Sequence, residues 1–212
     1  MKHRLGFLGC ATVFCLACAL LLWADTTSDL HPVADGGVEQ WTNNAGTSCA
    51  STTCFTEVDE DVVAACTGVD SIFNKSGTTA GNTQTYDVSL SSIPDNSLLT
   101  STVVQGCVVR GTTTNSNFRF KVRIDGVVTD CPTTTLVHGQ LTFVSCTIDH
   151  PDVTKQSATD FEIGWEITGT APLKGENIEA QITYASPSGA AKRRTYVARV
   201  RPVPGHVTDG GR

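Results

Sequence analysis

Residues 118–124 alternate strictly between apolar and basic side chains, and this alternation restricts the segment to a half-buried β-strand. The Asp125-Gly126 pair that follows is typical of a two-residue hairpin turn, and Val127-Val128 begins the return strand. The sequence therefore predicts a hairpin with one apolar and one basic face. Its first strand turns Phe118, Phe120, Val122 and Ile124 to a core and Arg119, Lys121 and Arg123 away from it.

Two later segments repeat the alternation with acidic instead of basic residues on the polar face. Residues 161–167 place Glu162 and Glu166 opposite an apolar set that includes Trp165, and residues 178–184 continue the pattern. We expect the three cations of the first strand to lie beside the two glutamates on one sheet. Such cross-strand pairs contribute about a few tenths of a kcal/mol each.

The composition favours β structure along the whole chain. Its 31 Thr and 22 Val are β-branched, and turn residues separate short apolar stretches from Cys54 onward. The pattern predicts an all-β chain with a single antiparallel β-sandwich of jelly-roll type, and at most one short helix, at 154–160. The predicted strands are 55–58, 69–73, 85–88, 98–109, 118–124, 127–129, 141–148, 162–168 and 178–184.

The N-terminus carries an export signal. Residues 5–24 are almost purely apolar and follow a short basic start, so residues 1–24 are predicted to be a signal peptide or an uncleaved signal anchor helix. Two cleavage positions, and lipidation at Cys10 or Cys18, stay open. Each alternative makes the rest of the chain secreted, periplasmic or cell-surface. Membrane contact is expected only through an uncleaved N-terminal segment.

Six cysteines follow this signal, an even number that is typical of three disulfides in an oxidising compartment. No CxxC pair occurs among them, which argues against a metal site. A turn at His138-Gly139 would place Cys131 opposite Cys146 across a hairpin, at bonding distance. The preferred pairings of the other four are Cys49–Cys54 and Cys66–Cys107, with Cys54–Cys66 as an alternative.

Composition and charge divide the remaining chain. Residues 25–48 are predicted to be a polar linker, 49–186 the sandwich domain and 187–212 a basic tail with room for one further strand. Residues 25–189 carry 7 basic and 20 acidic side chains, which disfavours nucleic acid as a partner. The partner itself is unknown from the sequence. A polysaccharide or another envelope protein would suit an exported acidic sandwich.

The short strand-like stretches between Cys54 and Tyr184 come in a recognisable order. They are 55–60, 69–73, 85–88, 92–94 and the long strand 103–110. In order and turns they resemble the single jelly-roll modules of secreted bacterial proteins and of phage tail or virion proteins. The resemblance implies a concanavalin-like sandwich without catalytic activity. The six cysteines depart from the usual pattern and suit a free extracellular domain better than a phage particle.

Clustered carboxylates are the main candidate for a bound ion. Asp59, Glu60 and Asp61, with Asp70 nearby, would suit Ca²⁺, which takes six to eight oxygen ligands, and no other cofactor is expected. The alternative is an exposed acidic loop. The polar stretch 149–152 (Asp-His-Pro-Asp) is interpreted as a turn that ends a strand.

No catalytic residue is predicted. The sequence lacks GxSxG, HExxH, P-loop and GxGxxG motifs, and Glu162 and Glu166 lie about 13 Å apart along one strand, too far for a glycosidase pair. The resulting hypothesis is an exported, non-enzymatic β-sandwich with a structural or adhesive role at the cell surface. The alternative is a carbohydrate-binding module. Such modules present exposed rings, for which Tyr86, Tyr184 and Tyr196 are candidates, and a polar surface rich in Thr and Asn can also bind sugars. A glycan-active enzyme is third.

Overall fold

A computed structural model describes residues 24–59, 66, 73–110, 116–137 and 139–187, and these residues form eleven strands and two short 3₁₀ turns. The strands are β1 (Ala24–Thr26), β2 (Pro32–Glu39), β3 (Asn74–Lys75), β4 (Thr83–Val88), β5 (Leu98–Arg110), β6 (Ser116–Ile124), β7 (Val127–Asp130), β8 (Thr134–Leu136), β9 (Thr142–Thr154), β10 (Phe161–Ile167) and β11 (Leu173–Ala185). The 3₁₀ turns are Cys49–Ser51 and Phe55–Glu57.

The strands form two antiparallel sheets that face each other, so the fold is the predicted all-β sandwich. Sheet A has the order β1-β11-β5-β9, with β3 also on β11. Sheet B has the order β2-β4-β10-β6-β7, with β8 also on β6. The strands β7 and β9 therefore form the same open edge of the two layers. No helix within the described ranges is long and apolar enough to span a membrane.

Trp165 of β10 is the centre of the core between the sheets. Its ring is fully buried, stacks on Trp41 at 5.5 Å and meets the edge of Tyr86 at 6.1 Å between centroids. Gly175 of sheet A lies over the same ring, and a Cβ there would be 2.2 Å from the nearest ring atom. The tryptophan therefore packs against the backbone of the opposite sheet.

Three disulfides join the described cysteines, and they are the preferred pairings from the sequence: Cys49–Cys54, Cys66–Cys107 and Cys131–Cys146. The reasoning behind the last pairing was wrong. His138 lies outside the described residues, and the strands on either side of it do not pair with each other, because β8 pairs with β6 and β9 with β5. The bond instead joins the two sheets at their open edge.

Two other predictions from the sequence need correction. Residues 25–48 are not a linker: β1 pairs with β11, β2 pairs with β4, and Trp41 is in the core. Residues 55–58 are not a strand but contain a 3₁₀ turn, tied to the core by the buried Cys54 and Val58. The pattern failed at 25–48 because Gly36 and Gly37 interrupt the alternation of β2 and pairing with other strands decides the structure. It failed at 55–58 because the Cys49–Cys54 disulfide and the burial of Val58 outweigh local alternation.

Several predictions from the sequence concern residues that lie wholly or mostly outside the described ranges. They are the signal or anchor, most of the predicted strand 69–73, and the tail beyond residue 187. The predicted short helix at 154–160 forms only a turn and bends. The strands predicted at 85–88, 98–109, 118–124, 127–129, 162–168 and 178–184 coincide with β4, β5, β6, β7, β10 and β11, within a few residues at their ends.

Because Trp165 packs against Gly175, we expect a larger side chain at residue 175 to destabilise the fold. Gly175→Ala should lower the free energy of unfolding by about 1–3 kcal/mol, because its Cβ must displace a fully buried ring. The matched control is Gly77→Ala, whose Cβ would meet only the end of the Asn82 side chain and should cost under about 0.5 kcal/mol. Urea unfolding with intact disulfides measures both. Equal costs would contradict the packing.

Candidate functional site

The outer face of sheet B, which points away from the core, carries three rows of polar side chains. Strand registers place Asp87, Glu162, Arg123 and Val128 in the first row and Thr85, Gly164, Lys121 and Asp130 in the second. Thr83, Glu166 and Arg119 form the third. This confirms the prediction that the cations of residues 118–124 lie beside Glu162 and Glu166.

Most of the charges of this face are paired, and three of them are unexpectedly buried. Lys121 is 8% exposed, Glu166 9% and Glu162 1%, although they lie on the outside of a sheet. Lys121 contacts Glu166 and lies 2.8 Å from Asp130, and Arg119 lies 2.9 Å from Glu166 and 2.8 Å from Asp130. Neighbouring opposite charges offset the cost of removing each group from water.

A loop within β2 covers one end of this face. The register between β2 and β4 passes from Asp35–Tyr86 to Glu39–Gln84, so β2 contains two extra residues that bulge outward. Gly37 N–H donates to Glu162 Oε1 at 3.0 Å, and Val38 N–H donates to Thr85 Oγ1 at 3.1 Å. A Cβ at Gly37 would lie 2.5 Å from the Arg123 guanidinium, so a larger residue here would require the Arg123 side chain to move.

Between this β2 bulge and the β6–β7 hairpin lies a shallow groove of about 160 Å³. Its walls are Val38, Gln40, Gly81, Thr83, Thr85, Lys121, Arg123 and Val128. Gly164, in the middle row, has no side chain to fill the space between Glu162 and Glu166. A Cβ there would lie 2.1 Å from the Gln84 carbonyl oxygen, so the hollow follows from the close approach of β10 and β4.

Among the described residues, the groove has none of the exposed aromatic rings that were expected for a carbohydrate-binding module. No aromatic side chain is among its walls in the described part of the chain. Tyr86, which was a candidate for an exposed ring, is fully buried and accepts a hydrogen bond from Asn74 at 3.0 Å. Any ligand held here would be recognised by hydrogen bonds to polar side chains and not by stacking on a ring.

A second pocket, of about 350 Å³, opens at the β7–β9 edge. Val127, Asp149 and His150 are among its walls. His150 was predicted to lie in a turn but is within β9, 5% exposed, and its Nε2 shares a 2.8 Å hydrogen bond with the Thr102 hydroxyl. Burial lowers the pKa of His150, and the Asp149 carboxylate offsets this only in part.

The structure does not bring the predicted calcium ligands together. Asp59 is exposed, and Glu60, Asp61 and Asp70 lie outside the described residues. A different acidic group occurs on the outer face of sheet B: Asp87, Asp160 and Glu162 each offer a carboxylate oxygen within 4.8 Å of the other two. Sequence reasoning missed it because Asp87 lies on β4 and Asp160 just before β10, and only the pairing of these two strands brings them together.

No protein-family model and no characterised protein matches the sequence. The xylan-binding CBM22-1 domain of Paenibacillus barcinonensis Xyn10C is similar in structure, with 14% identity and a TM-score of 0.44 over 77% of this chain and 97% of that one. The second carbohydrate-binding module of Cellvibrio mixtus lichenase 5A, solved with cellotriose, has 12% identity and a TM-score of 0.37 over 76% and 98%. At these values the likeness carries no argument about ligand or activity.

The burial of Lys121 changes the cost expected for its removal. The sequence alone predicts less than about 1 kcal/mol for Lys121→Ala, as for an exposed pair. The observed site predicts about 1–3 kcal/mol, because the buried Glu166 would lose one of its two cationic partners and keep only Arg119. The control is Asp95→Ala, which removes the ion pair with Lys155 at a carboxylate that is 76% exposed and should cost under about 1 kcal/mol. Chemical unfolding that gave equal costs would rule out the buried network.

The burial of His150 predicts that stability falls as the pH drops from 7.5 to 5.5. The unfolded chain binds a proton near the ordinary histidine pKa of 6.5, and the folded chain does so only at lower pH, so acid favours unfolding. The slope is at most about 1.4 kcal/mol per pH unit for one proton. His150→Gln should flatten the curve in this range. An unchanged slope would show that another group causes it.

Proposed function

We propose that this chain is a non-enzymatic, exported binding module that holds a neutral polysaccharide in the groove on the outer face of sheet B. The observation that carries the proposal is the network of ion pairs among Arg119, Lys121, Asp130 and Glu166, with Lys121 and Glu166 buried, beneath an open groove. On an outer face without a binding role, such side chains would stay in water, and no free energy of desolvation would be lost.

The chemistry of the walls favours a ligand rich in hydroxyl groups. The hydroxyls of Thr83 and Thr85 already donate within the protein and can each accept a further hydrogen bond. The Gln40 amide nitrogen, Lys121 and Arg123 are donors at the same groove. A sugar hydroxyl both donates and accepts, so it can bond to any of these groups. The groove is also open at its surface, as an extended chain that passes along the face would require.

The charges favour a neutral ligand over an anionic one. Lys121 already contacts Asp130 and Glu166, and Arg123 contacts Glu162 and lies 3.6 Å from Asp160. An anionic sugar would have to compete with these carboxylates and would face their repulsion. The absence of a stacking ring among the described walls predicts weak binding, with a Kd near 1 mM, or about −4 kcal/mol.

Two neighbouring residues of β7 provide a matched pair of variants. Val128 is 48% exposed and borders the groove, whereas Val127 is 70% exposed and borders the pocket at the β7–β9 edge. The long side chain of Val128→Arg should obstruct the groove. Val127→Arg adds the same charge and bulk on the opposite side of the strand.

The experiment is a glycan array followed by calorimetry with xylohexaose and cellohexaose as neutral probes and a galacturonate hexamer as an anionic one. The proposal expects saturable binding of a neutral glycan that Val128→Arg weakens at least about tenfold and Val127→Arg leaves unchanged. Binding that is lost only in Val127→Arg would place the site at the edge pocket. Binding of no glycan would leave the structural or adhesive role as the better hypothesis.

A further inference from the structure

We propose that Asp87, Asp160 and Glu162 form a binding site for one divalent cation, of which Ca²⁺ is the best match, at the end of the outer face that the β2 bulge covers. The site is distinct from the cluster around Asp59 that the sequence suggested. It does not depend on the proposed function, because its ligands are not among the walls of the groove.

The carboxylates of Asp87 and Glu162 are direct neighbours across adjacent strands. The register of β10 and β4 pairs Glu162 with Asp87. Like charges in such a position repel each other and destabilise a sheet unless something lies between them. Asp160, which directly precedes β10, brings a third carboxylate to the same place.

One carboxylate oxygen of Glu162 is buried and has no hydrogen-bond partner. Glu162 is 1% exposed, and its Oε1 accepts from Gly37 N–H and from Arg123. Its Oε2 is buried and accepts no hydrogen bond. An ionised oxygen in this state is costly, and a ligand that binds it would remove the cost.

The orientation of this oxygen is consistent with a ligand shared with Asp87. A Cβ at Gly36 would lie 2.8 Å from Glu162 Oε2 and 2.6 Å from Thr85 Oγ1, so Oε2 faces β4, the strand that carries Asp87. Arg123 lies on the opposite side, on β6, and bonds the other oxygen. The guanidinium and the proposed cation therefore use different oxygens of Glu162.

The acidic group keeps a net negative charge after its ion pairs with Arg123 are counted. Three carboxylates against the single guanidinium of Arg123 leave a net charge of −2, which a divalent cation neutralises. The donors are all oxygens, which suits Ca²⁺, and water would complete its shell.

Calorimetry with CaCl₂, using the disulfide-bonded chain and MgCl₂ in parallel, tests the site. We expect one Ca²⁺ per chain with a Kd of about 0.1–1 mM, the range of extracellular calcium modules, and a higher Tm when Ca²⁺ is present. Asp87→Asn, which keeps the size of the side chain, should weaken binding at least about tenfold. Asp149→Asn, an exposed carboxylate on β9, should leave it unchanged.

Three results would overturn the site. They are no Ca²⁺ binding by the wild-type chain, binding that Asp87→Asn leaves intact, and a chain that Asp87→Asn stabilises at neutral pH without any response to Ca²⁺. The last result would mean that Asp87 and Glu162 share a proton instead of a cation. None of these outcomes bears on glycan binding, which Val128→Arg tests separately.

Discussion

The packing of Trp165 between the two sheets is the contact on which the outer groove depends. The ring stacks on Trp41, meets Tyr86 and lies against the backbone of Gly175 in the opposite sheet. Because side chains alternate along a strand, an inward Trp165 turns Glu162, Gly164 and Glu166 outward. The registers with β4 and β6 then set the three polar rows around them.

A sheet face with buried charge differs from the usual solvated outer layer of a sandwich. Here the β2 bulge and the β6–β7 hairpin rise on either side of the face, and the side chains between them lose water and gain ion partners. Such networks are costly to break and contribute little to stability compared with an apolar packing of the same volume. A role in binding gives a physical reason for the network.

The sequence predicted the strands whose alternation is strongest, and with them the neighbours of Arg119 and Arg123. It also led to the observed disulfides, although Cys131–Cys146 joins two sheets and not one hairpin. It missed β2, where Gly36 and Gly37 interrupt any period, and it missed the burial of Lys121. The formation of β2 and the burial of Lys121 both depend on contacts with other strands, and alternation within one segment carries no information about those contacts.

The central claim is that the outer face of sheet B, and not the β7–β9 edge, is the binding surface. Backbone chemical-shift mapping by NMR, during titration with the neutral hexasaccharide that binds best, tests this most directly. The account predicts shifts concentrated at Val38, Thr83, Thr85, Lys121 and Val128. Shifts concentrated instead at Val127, Asp149 and Val153 would contradict it.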